Sequence, residues 1–247
     1  MSQEKILNEE RNFYENLYSS KEDPDKYSGD SNFFDLNFIP KLTDLEKDIC
    51  DADISESECV KVLKTFKNNK SPGTDGLTAE FYKFFWIDVK KYVLESYEYS
   101  FETGTLSIDQ KRGILTLIPK KDKDRTLLSN WRPLSLLNFD YKLLAKVIAE
   151  RMKLFLPKLI DPDQTGYVAG RYIGENLRLI ADIILFTTLK NYPGLILLVD
   201  FEKAFDTLEW KFIQKALVCF NFGSKLHVAP DANSNGINCP NLFFQYT

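Results

Sequence analysis

The alternation of apolar and polar side chains divides the chain into helical stretches interrupted by two short apolar runs. Ile6, Leu7, Phe13, Tyr14, Leu17 and Tyr18 share one stripe, which predicts an amphipathic helix over Glu4–Tyr18. Residues 19–43 are a polar connector with two prolines and a glycine. Ser55 and Glu58 have the spacing of a capping box, opening a helix that ends near Phe66. The hexapeptide Ser71-Pro72-Gly73-Thr74-Asp75-Gly76 packs two turn signals, Pro-Gly and Asp-Gly, into one loop. Thr78 then caps a long aromatic helical region that stops at Gly104. Gly113–Pro119 is the first apolar run and reads as a strand; Lys120–Arg125 is a hydrophilic hairpin tip and Asn130–Leu136 the return limb. A helix is predicted from about Asp140 to Leu156, ended by Pro157. Residues 161–167 form a loop, Gly170-Arg171 a second break, and Glu175–Leu189 another amphipathic helix.

The second apolar run, Leu195–Val199, follows the turn signal Pro193-Gly194 and leads into a helical pattern. A run of that length reads as a strand buried on both faces. Asp200 stands at its end, Phe201–Phe205 make a tight turn, and Asp206 with Glu209 has the shape of a capped helix start. Asp206 is thereby given a structural task, whereas Asp200 has no local one.

Composition narrows the class. A chain of 247 residues with 44% apolar side chains can build a real core. The N-terminus is acidic rather than signal-like and no run of eighteen apolar residues occurs, so the expectation is no membrane segment and a cytoplasmic or nuclear location. Four cysteines without CxxC spacing and a single histidine, His227, argue against a zinc site, a disulfide framework and histidine-dependent triads. The net charge of −4 is unevenly spread. Residues 1–60 carry sixteen acids against six bases, whereas residues 111–158 carry twelve bases against four acids. Such a locally basic segment either binds phosphates or is an ordinary solvated face.

Two groups of residues suit chemistry. Asp200, a carboxylate at the carboxyl end of a buried strand beside a turn, either holds a divalent metal with its phosphates or merely caps the turn. An aspartyl nucleophile of the phosphatase kind is disfavoured, because Glu202 occupies the place where a second Asp is wanted. Lys120, Lys121, Lys123, Arg125 and Arg132 flank one hairpin. Arg132 offers a planar fork to a triphosphate or template backbone and the lysines offer point charges; for Lys121 and Lys123 surface solubility is the competing reading. Phe201, Phe205 and the aromatics of 81–86 are read mainly as core, with base stacking as the alternative for the latter group.

Five stretches taken together carry a resemblance: KSPGTDGLTAEFYK (70–83), LIPKKDKD (117–124), NWRPLSLLNFDYKLLAKVIAERM (130–152), DQTGYVAGRYIGENLR (163–178) and LLVDFEKAFDTLEW (197–210). In that order they resemble the reverse transcriptases of LINE-type non-LTR retrotransposons, over roughly residues 60–222. The resemblance implies an α+β, partial right-hand polymerase fold. Residues 1–60 would be an acidic helical extension with its connector, 61–190 the fingers, 191–222 the first strand and helix of the palm, and 223–247 a divergent, poorly ordered tail. It further implies Mg²⁺ held by Asp200 and the Phe201 carbonyl, with the Lys203 and Ala204 amides facing a deoxynucleoside triphosphate. Phe205 would take the sugar-discriminating position, Arg132 and Lys120 the triphosphate contacts, and Gly170-Arg171 a place near an RNA template and DNA primer. The family's later Asp-Asp turn has no counterpart, since no Asp-Asp pair occurs in the chain. The expectation is therefore a truncated domain that does not polymerise DNA as written. The alternatives are a non-catalytic RNA-binding module derived from it, or a degenerate, unstable copy.

Overall fold

A computed structural model describes residues 3–19, 39–201 and 208–227. Its order is α1 (Gln3–Tyr18), α2 (Asp44–Asp51), α3 (Glu56–Thr65), α4 (Ala79–Phe84), α5 (Trp86–Thr103), α6 (Ile108–Lys111), β1 (Gly113–Pro119), β2 (Trp131–Leu137), α7 (Phe139–Lys153), α8 (Leu156–Leu159), α9 (Gly174–Lys190) and α10 (Trp210–Cys219). The architecture is thus mixed, mostly helical with one small sheet.

Local signals in the sequence explain most boundaries. Ser55 accepts from the Glu58 amide while the Glu58 carboxylate accepts from the Ser55 amide, so both orphan donors at the start of α3 are satisfied. Thr43 with Glu46 and Ser107 with Gln110 repeat the device at α2 and α6. Gly104 ends α5 in the left-handed region, φ 70°, which costs a glycine least. Two expectations differ in detail. Thr78 stands at the N-cap of α4 without a side-chain capping bond to the backbone, and the aromatic helical region is broken at Phe85 into α4 and α5. The break lets Tyr82 and Trp86 both enter the core while Phe84 stays 80% exposed. At the other end, α7 stops at Lys153 before any proline; Pro157 sits instead in the first turn of α8, where its missing N–H costs nothing.

The core is organised around α7. Nine of its residues are buried, from Phe139 to Arg151, so it is apolar over most of its circumference. Leu143, Leu144, Val147 and Ile148 pack with Cys59, Val62 and Leu63 of α3 and with Tyr82, Trp86 and Tyr97. Leu42 and Cys50 on one side of the sequence, and Phe222 and Leu226 on the other, join the same cluster. The expected boundary between residues 60 and 61 therefore falls inside α3, and the core reaches past residue 223 to Leu226. Arg151, 7% exposed, is the one buried cation among the described residues. Its guanidinium grips both oxygens of Glu58 (2.6 and 2.8 Å) and donates to the carbonyls of Cys50 (3.1 Å), Ala52 (2.5 Å) and Asp53 (2.8 Å). That fork fastens α7 to the α2–α3 connection.

β1 and β2 form an antiparallel hairpin in the register Gly113↔Leu137 to Pro119↔Trp131. A lone two-stranded sheet is marginal in water. This one rests on the core through Leu137, which packs with Tyr141, Ala145 and Leu106. Both strands are edges, so Pro133 is tolerated within β2.

The second apolar run corrects the sequence reading. Residues 195–199 form no strand and are exposed, from 52% at Ile196 to 92% at Leu195. A strand exists only where a neighbour accepts its backbone hydrogen bonds, and among the described residues β1 and β2 pair only with each other. The amphipathic α9 likewise buries no residue. Helix α10 begins at Trp210 with Glu209 at the N-cap position; Asp206, expected to cap the helix, lies outside the described residues, as do 202–207 as a whole. Among the described residues no helix is long and apolar enough to cross a membrane.

Candidate nucleic-acid interface

The basic hairpin is stiffened from within. Asp124 accepts from the Thr126 amide (2.9 Å) and hydroxyl (2.7 Å), which holds its carboxyl below the usual range through the backbone bond first. Asn130 Nδ2 donates to the Asp124 carbonyl (2.9 Å) and Trp131 Nε1 to that of Arg125 (3.0 Å). Asp122, at φ 57°, supplies the left-handed residue of the tip. Lys121, Lys123 and Arg125 are exposed on it. Lys120 is less free, because its Nζ donates to the Ser129 carbonyl at 2.9 Å. Arg132 pairs across the ladder with Ile118 and lies on the exposed face, with no ion pair among the described residues. Arg132 and Lys120 are therefore brought onto one hairpin, one cation uncommitted and the other tethered.

The base of that hairpin meets the loop that joins α3 to α4. Asn138, buried at the β2–α7 junction, leaves the α7 amides uncapped and reaches sideways instead. Its Oδ1 accepts from the Thr74 hydroxyl (3.1 Å) and the Asp75 amide (3.3 Å), and its Nδ2 donates to the Asp109 carbonyl (3.0 Å). Gly73 makes the approach possible, because a Cβ there would collide with Asn138 and with the Leu137 backbone. Sequence reasoning found the turn but not Asn138. The signal available was a buried-type position immediately before a helix whose polar side chain need not serve as a cap.

Half-buried charges lie beside this junction. Asp140 is raised above the usual carboxyl range by burial, and Lys142 is lowered by burial. Lys146, lowered for the same reason, sits 4.5 Å above the Phe66 ring. Tyr97, fully buried, donates to the Asp140 carbonyl at 2.7 Å.

Of the other predicted residues, Gly170 occupies φ 81° and Arg171 is committed to the backbone. Its guanidinium donates to the carbonyls of Gln164 (2.8 Å), Pro157 (3.1 Å), Ile160 (2.9 Å) and Asp161. Such an arginine shapes its own loop. Asp200 and Phe201 are exposed and belong to no strand or helix, and Phe201 shows 75% of its surface. Lys203, Ala204 and Phe205 lie outside the described residues. Among the described residues no three His, Cys, Asp or Glu side chains gather into a group that would hold a metal ion.

Comparison with known proteins gives this geometry its context. Residues 118–239 match the family described as reverse transcriptase (RNA-dependent DNA polymerase). The match starts within β1 and continues beyond residue 223, where the motifs had suggested that the pattern ends. The chain is 37% identical over 220 residues, 89% of its length, to the transposon TX1 uncharacterized 149 kDa protein of Xenopus laevis, and covers 16% of it. It is 26% identical over 153 residues to a putative 115 kDa protein in the type-1 retrotransposable element R1DM of Drosophila melanogaster, covering 62% of this chain and 14% of that one. Over 160 residues it is 26% identical to a retrovirus-related Pol polyprotein from the type-1 retrotransposable element R1 of Bradysia coprophila, with shares of 64% and 16%. The chain thus spans about a sixth of the length of these relatives. Family match and transposon relatives agree with the five ordered motifs: the chain matches the reverse transcriptase family over residues 118–239 and is similar over most of its length to proteins of non-LTR retrotransposons.

Proposed function

We propose that this chain is the fingers and the beginning of the palm of a reverse transcriptase, and that it engages an RNA template and its primer through the β1–β2 hairpin. The observation that carries the reading is Arg132, an exposed guanidinium without an ion-pair partner among the described residues, below a tip bearing Lys121, Lys123 and Arg125. A forked, weakly hydrated cation on a stiff hairpin is suited to phosphate oxygens of a backbone or of a deoxynucleoside triphosphate. Lys120 contributes charge nearby, while Gly170 and Arg171 act by shaping the 161–173 loop.

Asp200, with the Phe201 carbonyl, remains the place proposed for a divalent metal, and the Lys203 and Ala204 amides and Phe205 the neighbours of an incoming nucleotide. The described residues do not fit a two-metal polymerase centre by themselves. Two adjacent divalent ions need several anionic ligands to offset their repulsion, and Asp200 is one exposed carboxylate in a chain without an Asp-Asp pair. The proposed activity of this chain as written is accordingly RNA engagement without primer extension.

The test is binding of a single-stranded RNA by fluorescence anisotropy across a salt series. Replacing Arg132 by Ala is expected to weaken binding and reduce the slope of log K against log salt by about 1. An unchanged slope would remove Arg132 from the interface, and primer extension by the chain alone would refute the incomplete-centre reading.

A further inference from the structure

Beneath the 161–173 loop lies a cavity of about 580 Å³, within the range of small-ligand sites. Its walls are largely apolar, from Leu156, Pro157, Val168 and Ile173, with Tyr167 and Tyr172 among its lining. Those two rings are 90% and 71% exposed. Inside, Thr165 is 5% exposed and its hydroxyl has no hydrogen-bond partner. A buried hydroxyl without a partner is uncommon in a packed loop.

The loop is built to hold this arrangement. Arg171 ties it to four carbonyls, as described above. Tyr167 sits at φ 61°, whereas every other described non-glycine residue with positive φ is Asn or Asp. Short polar side chains tolerate that region by bonding to the local backbone; a tyrosine does not. A bulky ring kept exposed in a costly backbone conformation points to use. On the other side, Gly174 opens α9 where any Cβ would strike the Tyr172 ring. The cations nearby are occupied, Lys153 by Glu150 at 3.1 Å and Arg171 by the backbone, while Asp161 and Asp163 lie on the same loop. The pocket is therefore apolar and aromatic, unsuited to capturing phosphate.

We propose that this pocket seats one unpaired base of the RNA, with Tyr167 and Tyr172 as stacking faces. The proposal rests on the RNA-binding reading above and adds to it a contact that is independent of salt. Stacking a base on an aromatic ring is sequence-tolerant, because every base has a π-face.

The experiment uses the full chain and a short single-stranded RNA carrying 2-aminopurine, with anisotropy and fluorescence quenching read across the salt series. Tyr167→Ala and Tyr172→Ala are each expected to lower affinity roughly 5- to 150-fold and to relieve the quenching, leaving the salt slope unchanged. Tyr→Phe at either position is expected to bind as the wild type does. Gly174→Ala should weaken binding although alanine favours a helix, because it displaces the Tyr172 ring; equal melting temperatures verify that each variant folds. Alanine variants that bind normally while Arg132→Ala still lowers the slope would overturn the pocket and leave the hairpin reading intact, as would phenylalanine variants that lose as much as alanine. An apolar protein segment as occupant would give the first of these results. Wild-type protein that binds no RNA would sink both.

Discussion

Replacing Arg151 by Met removes five hydrogen bonds and the partner of Glu58 while keeping much of the apolar stem. Breaking a buried ion pair from one side costs about 3–5 kcal/mol, because the other group is left uncompensated. Here the lower end applies. The Glu58 side chain is 31% exposed and keeps its bonds to Ser55, so water and the cap shelter part of the stranded charge. For a domain of this size each kcal/mol moves the melting temperature by about 2–4 °C, giving a fall of about 6–12 °C at pH 7. The pH dependence supplies a second, independent signature. Glu58 is held down at about 2, first by its side-chain bond to Arg151. A depressed folded-state pKa stabilises the fold above the unfolded value of about 4.3 and the contribution is lost as pH falls towards 2. Thermal melts followed by circular dichroism should show this loss in the wild type and a flatter profile in Arg151→Met. A double-mutant cycle with Glu58→Gln should give a coupling above about 0.5 kcal/mol. Arg151→Lys should recover little, since an ammonium cannot bridge two oxygens and three carbonyls at once. A fall of less than 2 °C, on the order of half a kcal/mol, together with zero coupling, would show that α7 is not fastened in this way.

Other outcomes test other parts of the fold. Gly73→Ala drives a methyl into Asn138 and is expected to cost about 1–3 kcal/mol as overpacking, read by denaturant unfolding. Asn138→Ala, which strands the Thr74 hydroxyl, the Asp75 amide and the Asp109 carbonyl, should cost a similar amount, about 1–3 kcal/mol, by the same assay. Cys50 and Cys59 are buried thiols pushed up to about 11 and about 12 by desolvation, so both should resist a thiol reagent at neutral pH until the protein is unfolded. Leu197→Ser separates the two views of the second apolar run. At 79% exposure it should change stability by about 0.5 kcal/mol or less, whereas truncating a Leu inside a buried strand costs about 2–5.

Legibility in the sequence followed the range of the interaction. Ser55 with Glu58, and Gly104, are satisfied within a few residues, and the paired runs of the β1–β2 hairpin within 12 to 24, so their chemistry predicted them. The motif order identified the family, and the single charge-rich hairpin identified the surface proposed for nucleic acid. What lay beyond reach depended on distant partners. Leu195–Val199 has the composition of a buried strand, but composition supplies no neighbour to complete its hydrogen bonds, and Asp200 follows it into solvent. Arg171, placed by the resemblance near the template and primer, has its guanidinium surrounded by four carbonyls of its own loop and the preceding segment. Arg151 and Asn138 lie inside one of the five motifs, but the motif by itself assigns neither of them a task. Their tasks arise when distant segments are brought within hydrogen-bond distance, 101 residues apart for Arg151 with Cys50 and 64 for Asn138 with Thr74. Local propensity is written into neighbouring side chains, whereas burial and the pairing of polar groups belong to the packed chain and are decided only there.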